Sequence, residues 1–408
     1  MLDHVTGLRC TLCDRVEPAT SLAHTCPSCG PRGILDVEYD LGRVRLDLAS
    51  DRRQDIRRYL PLMPLPADAR VTPLAVGMTP IVEAPALAKA LGIGRLWIKD
   101  DGRQPTASFK DRATFVGTAR ALMLGKTAIA AASTGNAATS LAGLAASLGL
   151  DAHIFVPRTA PEAKVAQLLV YGARVFLVDA DYDRTYDLCQ QAVARYGWYD
   201  RSAAVNPYLV EGKKTAGHEL AEQLAATPPD WVSISVGDGC CFAGTWKGLQ
   251  EMHQLGVLSR LPRMLGTQAA GAAPLVHALD SGASDIVPVE AHTVADSINV
   301  GNPRNPRKAL RAARAAHGAM IAVSDEDILD MLPRLARASG VFGEPTGVAG
   351  LAGIRRARER GLIGPNDTVV HVVTGSGLKD VRGAMRTVTL PAPIAPHMDA
   401  VAERLATL

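Results

Sequence analysis

Three kinds of residue in this 408-residue chain could do chemistry: a lysine in a short mixed motif, small polar or Gly-rich turns, and paired cysteines. The lysine is Lys110, in Ala107-Ser-Phe-Lys-Asp-Arg112 at the start of a predicted helix. A lysine forms a Schiff base only through its deprotonated amine, and a helix N-terminus or a partly desolvated pocket lowers its pKa toward that state. Position alone does not separate such a lysine from a solvated one. Ala132-Ser-Thr-Gly-Asn136 opens an Ala-rich helix. Its Ser133, Thr134, Gly135 and Asn136 offer neutral donors at a helix N-terminus, which suits a carboxylate, although an ordinary capped helix reads the same. In Val236-Gly-Asp-Gly-Cys-Cys241, Gly237 and Gly239 let backbone N–H groups approach an anion such as a phosphate. Most Gly-rich turns are only turns. In Val373-Thr-Gly-Ser-Gly-Leu378, Thr374 could hydrogen-bond a ring nitrogen, or the segment could be a plain strand-to-helix turn.

Cys10-x2-Cys13 and Cys26-x2-Cys29 are separated by twelve residues. Four thiolates at this spacing suit tetrahedral Zn²⁺ with a closed shell, as in zinc ribbons. Such a metal would stabilise a small module and do no chemistry, because no coordination position stays open. A degenerate ribbon that lost its metal would keep the same thiols. His24 adjoins the site but is not needed as a ligand.

These residues must be positioned by regular elements. Apolar runs at Leu96–Ile98, Thr127–Ala132, Ala152–Val156, Ala173–Val178, Trp231–Val236, Met264–Thr267, Met320–Val323 and Thr368–Val373 read as strands. Ala-, Leu- and Gln-rich stretches of helical length alternate with them, such as Ala137–Leu148 and Ser324–Ala338. That alternation means βαβ units and a mainly parallel sheet. Such sheets bind ligands at the carboxyl ends of their strands. Three of the four motifs directly follow a predicted strand, and the lysine motif lies in the loop after Leu96–Ile98. Pro61-Leu-Met-Pro-Leu-Pro66, after a charged segment from Asp51 to Tyr59, reads as an extended connector, since proline fixes φ and discourages helix before it.

Bulk composition narrows the function classes. Hydrophobic residues are 47% and charged residues 21%, an ordinary globular balance. A net charge of +3 is too weak to argue for nucleic acid or an anionic membrane surface. No run of 18 apolar residues lacks charges, and no apolar secretory segment opens the sequence. The seven cysteines, an odd count, argue for a reducing cytoplasm over a disulfide framework.

The motifs together say more than each alone. Ser-Phe-Lys-Asp-Arg, Ser-Thr-Gly-Asn, a Gly loop and Thr-Gly-Ser-Gly, in this order, resemble threonine synthase and its relatives over about residues 55–385. These are pyridoxal-phosphate (PLP) enzymes of the tryptophan-synthase-β-like fold. Gly77-Met-Thr-Pro80, Asn206-Pro207 with Glu211-Gly-Lys-Lys-Thr215, and Gly301-Asn-Pro303 add to the match. The resemblance implies an α/β chain of PLP fold type II. It would have a zinc-ribbon-like module at 1–45, a large domain from 46–110 and 215–408, and a small domain at 111–214. It implies that Lys110 forms the Schiff base and then acts as the base at Cα, that Phe109 packs on the cofactor ring, and that Asn136 bonds its 3′-hydroxyl. Ser133, Thr134 and the amides around Gly135 would hold the substrate carboxylate, while Gly237, Asp238, Gly239, Cys240 and Cys241 wrap the cofactor phosphate. Thr374 would face the pyridine nitrogen. A hydroxyl there leaves that nitrogen largely unprotonated, which favours elimination or replacement at Cβ or Cγ over transamination. Relatives are commonly homodimers.

Two departures bear on the substrate. Threonine synthases often carry Asn-Pro-Tyr-Arg, whose arginine helps bind the substrate phosphate; here the segment is Asn206-Pro-Tyr-Leu209, preceded by Ala203 and Ala204. Losing a charge-assisted contact costs about 1.5–3 kcal/mol. Arg158 or Lys164 could compensate, or could be surface charges. The second departure is Asp238 with Cys240 and Cys241, where relatives carry Asn and more glycine. An aspartate beside a phosphate is unfavourable unless its side chain turns away or caps the following helix. The two cysteines read either as small packing residues or as redox groups. The sequence thus predicts threonine synthase activity, O-phosphohomoserine to threonine plus phosphate, or a related elimination on another small amino acid. The remaining readings are an inert regulatory protein, against which Lys110, Asn136 and Thr374 argue, and a zinc-ribbon nucleic-acid binder, which lacks a basic aromatic patch.

Overall fold

The computed structural model of the chain describes residues 2–133, 135–160, 162–202 and 205–407. Its strands form three sheets. Near the N-terminus β1 (Val5–Cys10), β2 (Val16–Glu17) and β3 (Leu35–Tyr39) pair antiparallel in the order β2-β1-β3. Next come β4 (Ile81–Glu83), β5 (Arg95–Asp100), β6 (Ala128–Ala132), β7 (Asp151–Pro157), β8 (Arg174–Val178) and β9 (Tyr199–Asp200). They are followed by β10 (Trp231–Ser235), β11 (Arg263–Ala269), β12 (Ala319–Val323) and β13 (Thr368–Val373). A six-stranded sheet runs β12-β11-β10-β13-β5-β4, parallel except for β4, and a parallel four-stranded sheet runs β8-β7-β6-β9. This is the expected α/β architecture of two parallel sheets beside an N-terminal cysteine module. The strands read from the sequence are all present, because parallel strands covered on both faces become continuous apolar runs. β6 and β10 are buried along their whole length. β4 and β9, three and two residues long, carry too little pattern to read.

The Pro-rich stretch begins inside a helix, and only from Met63 onward does the chain leave it in an extended conformation. Ile56–Leu62 forms a 3-10 helix with Pro61 inside it, and the Asp55 side chain accepts from Arg57 N at its start. Ile56, Tyr59 and Leu62 are fully buried. Proline's fixed φ is compatible with a 3-10 turn. The gain from burying this apolar run against the core decides the conformation.

Register brings the loops that matter to one edge. Val373 lies opposite Asp100, and Ile234 lies opposite Val372, so β5, β10 and β13 end together. From that edge leave the segment leading to Lys110, the Gly loop and the Thr374 turn. In the other sheet Ala132 pairs with Phe155, and β6 then delivers Ser133 to Asn136.

A buried charge network ties these segments to the scaffold. Arg112, two residues after Lys110, is fully buried and donates to both carboxylate oxygens of Asp101, from Nε at 2.6 Å and Nη2 at 2.8 Å. It also pairs with Glu219 in the Thr215–Gln223 helix. Lys99 of β5 reaches Glu219 at 2.6 Å and donates to Thr79 O at 2.7 Å. Gly77, at φ +83°, lies so close that a Cβ would stand 2.5 Å from Glu219 Oε1. The cysteine module is fastened in the same way: Lys308 and Lys247 donate to Asp36, and Tyr39 donates to Glu211 at 2.7 Å.

Candidate active site

Lys110 starts the helix Lys110–Met123, and several neighbours in its motif are held by fixed partners. Phe109 N donates to Thr374 O at 2.9 Å, and Ser376 N donates to Ala107 O at 3.0 Å. The lysine loop and the Thr374 turn are therefore stitched together. Thr106 N donates to the Asp111 carboxylate at 2.7 Å, and Arg112 is locked as described above. Ala107 sits at φ +63°, a left-handed conformation unusual for a residue with a Cβ. Lys110 has no such lock. Its Nζ lies 3.8 Å from Cys241 Sγ and faces a cavity of about 730 Å³. Its pKa is raised, chiefly by the negative charge that Cys241 carries when ionised, with burial opposing.

The cavity wall brings most of the expected residues together: Lys110, Ser133, Gly135, Asn136, Gly237 to Cys241, and Thr374. Thr134 lies outside the described residues. Phe109 is placed elsewhere, fully buried in the core with the Arg112 guanidinium 5.6 Å from its ring centre, and it is not on the wall. The Gly loop caps the helix Cys240–Gln254. Gly239, at φ +90°, leaves no room for a Cβ, which would stand 2.7 Å from Ala309 Cβ and 2.9 Å from Asn305 O. Asp238 turns toward the segment before the Pro306–Ala315 helix, its Oδ1 accepting from Arg304 N at 3.1 Å. Its charge therefore neither caps the Cys240 helix nor occupies the loop's N–H groups. Cys240 is buried, and burial raises its thiol pKa, with Lys213 opposing.

The donor set fits pyridoxal phosphate. Thr374 Oγ1 is buried without a hydrogen-bond partner among the described residues, and a ring nitrogen would supply one. The amine of Lys110 faces the same space as a helix N-terminus preceded by two glycines, the arrangement that cradles a phosphate.

Sequence reasoning missed several residues at the site. Glu344 follows no strand motif and lines a smaller adjoining chamber, yet its buried carboxylate accepts from Asn136 Nδ2 of the cavity wall at 2.8 Å. Gly375 passes so close that a Cβ would meet Glu344 Oε1 at 2.4 Å, so this turn requires glycine. Burial pushes the Glu344 carboxyl up to about 7. Arg201 and Lys213, each 2% exposed, also line the cavity. Lys213 lies in the Glu211-Gly-Lys-Lys-Thr215 motif but was given no role there, and Arg201 left only the signal of a basic residue in a polar loop, which is ordinary at a surface. Leu209 is fully buried against the lysine helix, where a Cβ at Gly117 would lie 2.4 Å from Leu209 Cδ2, and it is not on the wall. Arg158 pairs with Asp179 at the surface. Lys164 pairs with Asp296 at 2.6 Å beside a smaller adjoining chamber.

In the N-terminal module the sulfurs of Cys10, Cys13, Cys26 and Cys29 lie within 4.8 Å of one another, with Cys13 and Cys26 at 3.8 Å. Zn–S bonds of about 2.3 Å in a tetrahedron separate the sulfurs by about 3.8 Å. Leu12 N donates to Cys10 Sγ at 3.4 Å. His24 is not in the cluster; its ring packs edge-on to Tyr199.

Comparison with known proteins agrees with this geometry. Residues 72–375 match the family described as "Pyridoxal-phosphate dependent enzyme". The chain is 35% identical over 397 residues to the threonine synthase of Methanocaldococcus jannaschii, covering 96% of this chain and 97% of that one. It is 36% identical over 402 residues to the threonine synthase of Methanosarcina acetivorans, covering 98% of each. Among solved structures, the processed threonine deaminase isoform 2 of Solanum lycopersicum superposes with a TM-score of 0.65 at 21% identity, covering 76% of this chain and 83% of that one. The chain belongs to the pyridoxal-phosphate dependent enzymes, and it is threonine synthase-like.

Glu344 gives a pH dependence of known sign. Its folded-state pKa, about 7, is raised from the ordinary 4.5. The protonated form is therefore favoured by folding. The stability it contributes is fully present below about 4.5 and is lost as pH rises through about 7. In the cofactor-free protein, Glu344→Gln is expected to gain thermal stability relative to wild type as pH rises across that window. A difference in Tm that does not change with pH contradicts the assignment.

Proposed function

We propose that the chain eliminates or replaces a side-chain group on a small amino acid, with conversion of O-phosphohomoserine to threonine and phosphate as the first candidate reaction. The observation that carries this reading is the convergence of Lys110, the Gly loop and the unpartnered Thr374 hydroxyl on one cavity. Pyridoxal phosphate, when bound, supplies a conjugated ring that withdraws electrons from the substrate's α-carbon.

The chain's own residues then have distinct tasks. Lys110 Nζ would hold the cofactor, and its amine, when free, would be the base for the Cα proton. The N–H groups from Gly237 to Cys241 bind the cofactor phosphate, and Lys213 beside Cys240 adds a positive charge there. Thr374 Oγ1 meets the ring nitrogen. A hydroxyl cannot protonate that nitrogen as a carboxylic acid would, so the ring is a modest electron sink. That suits expulsion of a leaving group over transamination. Asn136 orients the ring's 3′ oxygen, with its own amide oriented by Glu344. Ser133 and the amides at the start of the Asn136–Leu148 helix receive the substrate carboxylate, where the helix N-terminus favours negative charge.

A second reading, the same chemistry on a different amino acid, is favoured by Leu209, which brings no charge to the cavity. Turnover of O-phosphohomoserine by the PLP-loaded protein, with phosphate and threonine followed together, decides between them. Release of both is expected. A cofactor-loaded protein that releases neither contradicts the threonine synthase assignment and supports the second reading.

The four cysteines form a structural zinc site in this proposal, supported by their mutual distances. Metal analysis of the purified chain is expected to find about one zinc per chain. A metal-free preparation that is folded and fully active contradicts it.

A further inference from the structure

Arg201 follows β9, with its backbone N donating to Ala130 O of β6 at 2.9 Å. Its side chain is 2% exposed and lines the cavity. Nε and Nη2 donate to Thr114 Oγ1 at 3.3 and 3.0 Å. Thr114 lies one turn along the helix from Lys110, and its hydroxyl is uncharged. Nη1 has no hydrogen-bond partner among the described residues, and no carboxylate among them forms an ion pair with the guanidinium. Burial lowers its pKa to about 10, outweighing Asp111, Asp200 and the Gly-loop thiols of Cys241 and Cys240, which act on it only through space. Asp111 is occupied by Thr106, and Asp200 accepts from Ser202 N.

Arg112 makes the contrast plain. It is as deeply buried, but it is flanked by Asp101 and Glu219. A buried guanidinium beside carboxylates is structural. One that lines a cavity with only a hydroxyl partner lacks the countercharge that offsets its desolvation. The geometry points to an anionic ligand that completes it. Lys213 stands beside Cys240 at the Gly loop and serves the cofactor phosphate end. Arg201 extends from the sheet whose β6 leads to Ser133, the side assigned to the amino acid, and its charge is felt at Lys110, so it stands near the reacting end of the cavity as well as the Gly-loop thiols. We propose that Arg201 is a specificity-determining residue that binds an oxyanion carried on the substrate's side chain, phosphoryl or carboxylate. It would do so from a different element than the helix on which Leu209 is packed away. A guanidinium presents two or more N–H groups to such an oxyanion in a fixed geometry. This assignment rests on the reading of the cavity as a PLP and amino-acid site.

The test uses the PLP-loaded protein as wild type, Arg201→Gln, Arg201→Lys and Thr114→Val. Inorganic phosphate and malonate are titrated separately, with the visible cofactor band and the thermal midpoint as readouts. Wild type is expected to bind at least one of them saturably, and which one identifies the group carried by the substrate. Arg201→Gln is expected to weaken that binding roughly tenfold to a hundredfold. Arg201→Lys is expected to recover part of it. Thr114→Val, which removes the structural partner but keeps the charge, is expected to bind nearly as wild type. With amino-acid substrates bearing the same anion, the loss in Arg201→Gln is expected to fall on KM more than on kcat. All four proteins are expected to retain cofactor through gel filtration.

Wild type binding neither anion overturns the proposal, as does undiminished binding in Arg201→Gln. Loss of cofactor from Arg201→Gln with anion binding otherwise intact assigns Arg201 to the cofactor phosphate and also overturns it. Should Arg201→Gln fail to fold, Arg201→Lys decides: weakened anion binding there supports the proposal, and undiminished binding overturns it. Arg201-dependent phosphate binding in a protein that turns over no phosphorylated amino acid leaves this assignment standing and sinks the threonine synthase reading alone.

Discussion

Everything near the candidate site depends on the buried Asp101–Arg112–Glu219–Lys99 network. Its members come from β5, the turn after β5, the lysine helix and the Thr215–Gln223 helix. Buried ion pairs are not in themselves a source of stability, because desolvation offsets much of their attraction. Their effect here is geometric. Arg112 has carboxylates on two sides and Thr79 and Thr215 hydroxyls within reach, so the helix start can neither rotate nor slide without leaving a charge unpaired. Lys110, two residues earlier, inherits that fixity while its own amine stays free to face the cavity.

The remainder of the site follows from sheet register. β5, β10 and β13 end level, so three loops from distant parts of the chain meet at one edge. Backbone bonds join two of them, with Phe109 N on Thr374 O and Ser376 N on Ala107 O, and Glu344 N on Gly375 O adds the segment before the Pro345–Glu359 helix. The Glu344–Asn136 contact crosses from this assembly to the turn after β6. The turn after β6 and the Thr374 turn are therefore linked by a side-chain hydrogen bond between two buried residues, one of which is near its titration midpoint at neutral pH.

What could be read in the sequence was whatever leaves a local pattern. Parallel strands appear as apolar runs, and the four motifs sit at strand ends or a helix start, so their convergence was legible before any coordinates. The cysteine spacing was legible for the same reason. Residues that act across long separations were not. Glu344 reaches Asn136 over 208 positions. Arg201 looks like any basic residue in a polar loop until its burial is known. Within the lysine motif, Asp111 and Arg112 are fully buried and carry the positioning, yet as sequence they look like a solvated pair. Leu209 was legible as a departure, but its position against Gly117 depends on how two helices pack. The 3-10 helix at Ile56–Leu62 escaped because proline argues against α-helix without arguing against a tighter turn.

The central claim is that this framework exists to present the Lys110 amine to a cofactor. The most direct measurement is the visible absorption of the purified chain after incubation with pyridoxal phosphate and removal of excess, for wild type and Lys110→Ala. The account expects a stable visible band in wild type that is absent from the variant, with the variant's far-ultraviolet circular dichroism and thermal midpoint showing that it remains folded. An equal band in both proteins, or none in wild type, contradicts it.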